Sequence, residues 1–209
     1  LIKIFAIVNK KEQVLITAYS GLKNIPCNEE FISSIIDFAN DDISEMILLK
    51  TLLEKSVEDR ICNDNNIEKH LLTVYLYTDN NSKALELGAR LEDRFFDDAD
   101  VLFNIAFAYQ KIASKDYDSG YKIYTSLEET SDIGKYQDAY DFLSNAKIYF
   151  VKSIALFLDS SNLSESEGAM QIAKQAIQTM RKNQQSCLLL LESIEGLAIQ
   201  NKGLNVTKG

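Results

Sequence analysis

Apolar residues recur along the chain at intervals of three and four, in stretches of roughly 12 to 20 residues separated by short polar breaks, which is the spacing of one buried face on an α-helix. The pattern predicts helices near 2–9, 12–22, 28–39, 43–58, 66–79, 82–94, 99–113, 117–129, 135–158, 165–181 and 185–200. Capping oxygens and acids stand at several starts: Asn28 with Glu29 and Glu30, Ser44 with Glu45, Asp97 to Asp100, and Ser164 with Glu165 and Glu167. Such residues accept from the unpaired amides of a first helical turn and complement its positive dipole end. The polar runs 63–66, 79–82 and 159–164 read as turns. With no long linker and no sharp shift in composition, all 209 residues read as a single helical domain.

A longer period runs through residues 66–129. Leu71 and Ile105, Leu72 and Ala106, and Tyr75 and Tyr109 each stand 34 residues apart. In each set a bulky residue is followed by another or by a small one, then by an aromatic ring one turn on. Each set opens a predicted hairpin, the first turning at Asp79–Asn81 and the second at Asp116–Asp118. The second helix of the first pair carries Ala84, Gly88 and Leu91, and that of the next carries Gly120, Tyr124 and Leu127. A 34-residue helix–turn–helix period of this kind resembles the tetratricopeptide-repeat family. A third unit would use Phe142, Ala146 and Tyr149, then Ala169, Ala173 and Ala176. The family's tryptophan is absent, and Phe96 stands where a repeat-ending proline is common. Residues 1–60 are read as divergent helical hairpins, and 135–200 as a divergent repeat with a C-terminal cap helix. The resemblance implies an all-α fold, an α-α superhelix in which antiparallel hairpins stack as a solenoid.

Composition agrees with a helical protein. One proline and eight glycines among 209 residues, with 46% hydrophobic and 25% charged positions, leave too few turn-formers for an all-β fold or for glycine-loop enzymes. The net charge of −9 opposes direct binding to nucleic acid and attraction to anionic lipid. The apolar run Leu1–Val8 is too short to span a bilayer, and no other stretch reaches that length, so no membrane insertion is expected. Cys27, Cys62 and Cys187 are odd in number and widely spaced, which reads as buried thiols in a reducing compartment and hence a cytoplasmic protein. The sequons at Asn80, Asn162 and Asn205 carry little weight in a chain rich in Asn and Ser. Because residue 1 is Leu, the chain is expected to be a piece of a longer protein.

Candidate chemistry is sparse. His70 is the only histidine, and no phosphate-cradling, zinc or nucleophile-elbow motif occurs. Asp116-Tyr117-Asp118-Ser119-Gly120 hints at a calcium loop, but its glycine falls one residue early and Leu127 stands where a bidentate Glu belongs. No cofactor, metal site or enzymatic activity is expected.

The repeat register instead places Lys69, His70, Thr73, Leu76 and Tyr77 on one inner helix and Phe103, Asn104, Phe107, Gln110 and Lys111 on the next, with Tyr140, Leu143, Lys147 and Phe150 on a third. Aromatic anchors among amides suit a peptide or a partner helix. Lys69 and Asn104 match two positions of the family's clamp for a C-terminal carboxylate, but Thr73, Tyr140 and Ser144 break it. The acids Glu92, Asp93, Asp97, Asp98 and Asp100, with Glu128, Glu129 and Asp132 one repeat on, form either a rim for a basic partner or simple helix starts. The apolar helix at Cys187–Leu191, Ile194, Leu197, Ala198 and Ile199 offers a homodimer face or a closing contact. These features describe a non-catalytic protein–protein interaction module, a scaffold or adaptor subunit that binds a protein or peptide. The alternatives are a ligand- or peptide-sensing domain of a transcriptional regulator and, more remotely, a helical enzyme run by carboxylates.

Overall fold

The computed structural model describes residues 11–39, 42–59, 61, 65–127 and 133–200, and all regular structure among them is helical. The expected helix 2–9, the acids Glu128, Glu129 and Asp132, Cys62 and the Asn205 sequon lie outside the described residues. Contacts divide the chain into two compact units, Leu1–Arg94 and Phe95–Gly209.

The first unit contains α1 (Lys11–Asn24), α2 (Glu29–Ala39), α3 (Ile43–Glu58), α4 (Asn65–Tyr77) and α5 (Asn81–Glu92). Val14, Ala18, Ile32, Ile35, Met46, Leu49, Leu53, Leu72, Leu87 and Leu91 form its buried interior. Each helix packs on the next in sequence, and α2 also touches α4. Asn28 caps α2 by accepting from the Phe31 amide at 3.0 Å. The cap of α3 is Asp42, two residues before the expected Ser44, because its carboxylate accepts from the Ser44 and Glu45 amides at 3.0 and 3.4 Å. Between α4 and α5 the chain reverses through Asp79, whose φ of 55° is left-handed. The Asn80 amide reaches back to the Tyr75 carbonyl at 2.9 Å and the Asp79 amide to that of Leu76 at 3.4 Å, closing the helix end without a glycine.

Cys27 corrects the expectation of three free thiols, since it is disulfide-bonded. Its Sγ lies 3.7 Å from the Ile61 carbonyl oxygen, so the α1–α2 turn meets the segment after α3. Sequence spacing cannot show that proximity. Cys187 is free and buried, and burial pushes its thiol up to about 12.

Among the described residues the second unit has three long helices, α6 (Ala99–Ser126), α7 (Ile133–Leu163) and α8 (Glu167–Gln200). Two expected breaks are missing. Residues 113–117 continue α6, so neither the second hairpin turn nor a calcium loop exists at Asp116–Gly120, and residues 181–185 continue α8. The polar residues there are compatible with a helix, carry no proline and leave the buried face unbroken. In α8 that face runs through Ala173, Ile177, Met180, Cys187, Leu191 and Ile194. The cap of α8 is Ser166 in place of Ser164, and its Oγ accepts from the Ala169 amide at 3.3 Å.

A seven-residue period organises the pairing of α6 with α7. Ala99, Ala106, Ala113 and Gly120 recur every seventh residue on α6, as Ala139, Ala146, Ser153 and Ser160 do on α7. The rows face each other in antiparallel register: Ser160 Oγ donates to the Ala99 carbonyl at 2.7 Å, and Ser153 Oγ to that of Ala106 at 2.9 Å. A Cβ added to Gly120 would sit 3.2 Å from the Ala139 carbonyl and 2.6 Å from Leu143 Cγ, so the backbones approach closely there. Between the small rows lie Leu143, Phe150 and Phe157, all fully buried and again seven apart. Phe157 meets Phe103 edge-on with ring centres 5.1 Å apart. Alternating small and large layers at this period are those of an antiparallel coiled coil, and each buried Phe contributes about 1.5–3 kcal/mol. Tyr140, Leu143 and Phe150, expected to line a groove, are therefore core residues, while Phe142, expected to pack, is exposed.

Candidate functional site

The first unit contains an apolar cleft of about 720 Å³ between α1 and α3. Leu15, Ile16, Tyr19 and Leu22 come from α1, Leu48, Leu52 and Leu53 from α3, and Pro26 and Ile61 close one end. Both helices carry more apolar residues than one buried stripe requires. On α1, Val14 and Ala18 turn inward while Ile16 stays 61% exposed; on α3, Met46 and Leu49 are buried while Leu48 is 48% exposed. The surplus flanks face each other across the cleft. A contiguous, solvent-facing apolar surface of this kind marks an interaction site more often than a scattering of single exposed residues.

Tyr19 meets Glu45, and Cys27 meets the Ile61 carbonyl, so α1 and α3 run in the same direction. That places Glu12 and Glu45, in the two first turns, towards one end of the cleft and Lys23 and Lys55, in the last turns, towards the other. The Tyr19 hydroxyl donates to the Glu45 backbone carbonyl at 2.9 Å. Burial above all, then the Glu45 carboxylate beside it through hydrogen bonding and charge, and the charge of Asp42, push that hydroxyl well above its ordinary value, so it stays a donor. Glu45 Oε2, by contrast, is shielded from solvent with no hydrogen-bond partner among the described residues. Leaving such an acceptor unpaired costs about 1–3 kcal/mol.

A smaller polar hollow of about 300 Å³ lies among α3, α4 and α5, lined by Glu54, Glu58, Glu68, Tyr75, Lys83 and Arg90 among others. Glu54 Oε1 accepts from the Tyr75 hydroxyl at 2.9 Å and from Lys83 Nζ at 2.8 Å. Burial opposes ionisation of Glu54, but the bonds from Lys83 and Tyr75 and the charges of Lys83 and Lys50 outweigh it and hold the carboxyl below its ordinary value. Arg94 pairs with Glu68 beside it. These groups satisfy one another, so the hollow reads as a tie between helices.

The residues singled out from the sequence fall in both units. Lys69, His70 and Thr73 are half-buried on α4, where Thr73 Oγ1 donates back to the Lys69 carbonyl at 3.2 Å, and Tyr77 is exposed at its end. Leu76 is buried. In the second unit Phe103 packs on Phe157, and Lys111 Nζ lies 5.5 Å from the Phe107 ring centre, with Asn104 and Gln110 half-buried beside them. Asp98 is the cap of α6, accepting from the Asp100 and Val101 amides at 3.1 Å each, while Asp97 and Asp100 are exposed. The described lining of the two clefts includes none of these eleven candidates for partner binding, Lys69, His70, Thr73, Tyr77, Asp97, Asp98, Asp100, Phe103, Asn104, Phe107 and Lys111. The α1–α3 cleft carries no repeat motif that would mark it in the sequence. Its signal was the run of adjacent apolar residues, Leu15-Ile16, Ile47-Leu48-Leu49 and Leu52-Leu53, which a single helical face cannot absorb.

Among the described residues no cluster of His, Cys, Asp and Glu is placed to hold a metal ion, and no helix is long and apolar enough to cross a membrane. No family model matches the chain, and comparison with the curated proteins and with the solved structures found no match.

Proposed function

We propose that this protein is a non-catalytic interaction module, a scaffold or adaptor component of a larger assembly, and that it receives a peptide or partner helix in the α1–α3 cleft. The observation that carries this reading is the pair of surplus apolar flanks, with Ile16, Leu48 and Ile61 each about half exposed or more around a cleft of about 720 Å³. Grooves of this character take the apolar face of a helix or peptide. The α4–α5 hairpin, with Leu71, Leu72 and Tyr75 buried on one helix and Ala84, Gly88 and Leu91 on the other, supports a tetratricopeptide-like repeat in the first unit. The reading moves the binding surface from α4 and α6, where the repeat register put it, to α1 and α3.

The test is affinity capture from a native extract with the full chain and two variants. Leu48→Glu places a charge in the cleft at an exposed position, and Leu189→Glu does the same at an exposed position of α8. Leu48→Glu is expected to lose the captured partners with an unchanged helical circular dichroism spectrum, while Leu189→Glu keeps them. Retention of the same partners by Leu48→Glu would overturn the assignment.

A further inference from the structure

The charges around the cleft specify what it selects. We propose that the α1–α3 cleft takes a peptide segment that carries a cationic side chain next to bulky apolar ones, with Glu45 receiving the cation. The inference rests on the function proposed above and adds the chemistry of the partner.

Three observations converge on it. First, Glu45 lines the cleft and its Oε2 makes no hydrogen bond among the described residues, so the carboxylate keeps an acceptor for a donor entering the cleft once the side chain turns out of its enclosed position. The Tyr19 hydroxyl donates to the Glu45 backbone carbonyl and lies beside its carboxylate, while Oε2 itself makes no hydrogen bond among the described residues. A lysine or arginine entering the cleft would make a charge-assisted bond there, stronger than a neutral one and further strengthened by the apolar walls. Secondly, the charges are sorted by end, Glu12 and Glu45 towards one and Lys23 and Lys55 towards the other. A bound segment therefore has a preferred direction, with its cation at the glutamate end and its acidic residues, or the negative end of its helix dipole, at the lysine end. Thirdly, a volume of about 720 Å³ is that of a small-ligand site, so it admits a few bulky side chains of a segment and not a folded domain. The net charge of −9 favours the encounter with a cationic segment over an anionic one.

The experiment uses the full chain and three end-capped peptides of about four helical turns, comparable in length to α1. All three share the same Leu, Ala and Gln content. The first carries Lys in its first turn beside an apolar stripe, the second carries Glu at that place, and in the third the order is scrambled so that no stripe forms. Binding is read by fluorescence anisotropy. The Lys peptide is expected to bind about tenfold tighter than the Glu peptide, as one added charge-assisted hydrogen bond implies, and to lose most of that margin in Glu45→Gln. The margin is also expected to shrink with added salt. Equal binding of the Lys and Glu peptides, both tighter than the scrambled one, would overturn this inference and leave the docking function standing, as would a Lys preference that survives in Glu45→Gln. If neither striped peptide binds better than the scrambled one, both readings fail together.

Discussion

Gly120 shows how narrowly a single position can be defined. It lies in the C-terminal part of α6, still inside the helix, where glycine ordinarily weakens a helix by about 1 kcal/mol relative to alanine. Yet a methyl group there would press on the fully buried Leu143 and on the Ala139 carbonyl of α7. Gly120→Ala is therefore expected to lower stability by about 1 kcal/mol or more, the overpacking cost exceeding the gain in helix propensity. Gly168, in the first turn of α8, has only the Ser166 hydroxyl within reach of an added Cβ, at 3.8 Å. Gly168→Ala is expected to raise stability by up to about 1 kcal/mol. Thermal melts of the two variants in opposite directions would confirm the close approach, whereas stabilisation by both would refute it. Asp79 makes the complementary point, because this glycine-poor chain closes α4 with a left-handed aspartate where glycine is the usual choice.

At the scale of elements, the α3–α4–α5 contact has a definite pH dependence. The Glu54 carboxyl sits below its ordinary value of 4.5 because the hydrogen bonds from Lys83 and Tyr75 outweigh the burial that opposes its ionisation. Its contribution to stability is thus fully present above that value and is lost as the pH falls through the lower, folded-state value. As the pH falls below 4.5 the first unit is expected to lose stability more steeply in the unaltered chain than in Glu54→Gln, and equal slopes would show that Glu54 does not contribute. Helix existence was largely legible in the sequence, since amphipathic spacing decides it. Helix ends were less so. The caps Asp42 and Ser166 each stand two residues from the expected Ser44 and Ser164, because neighbouring Asp and Ser residues compete for the same amides and only the backbone path selects among them. The polar runs inside α6 and α8 read in the sequence as breaks between helices, but exposed polar residues are compatible with either state when the buried positions continue beneath them.

For the molecule as a whole, the period that organises the second unit differs from the one expected there. The 34-residue spacing drew attention to Ile105, Ala106 and Tyr109, yet Ala106 belongs to the seven-residue row that also holds Ala99, Ala113 and Gly120. That row, and its partner from Ala139 to Ser160, is visible in the sequence once small residues are counted as well as large ones. It explains why Leu143 and Phe150 are core and why α6 does not turn at Asp116. In the first unit the hairpin of α4 and α5 was foreseen, but the cleft beside it was not, because exposed apolar flanks leave no motif and show only when two helices from separate hairpins are brought side by side.

Binding on α1 and α3 is read residue by residue in an amide shift map of the isotopically labelled chain titrated with the lysine-bearing amphipathic peptide. The largest changes are expected at the cleft, around Ile16, Tyr19, Glu45, Leu48 and Leu52. Changes centred on Lys69 to Tyr77 or on Phe103 to Lys111, with the cleft silent, would contradict it.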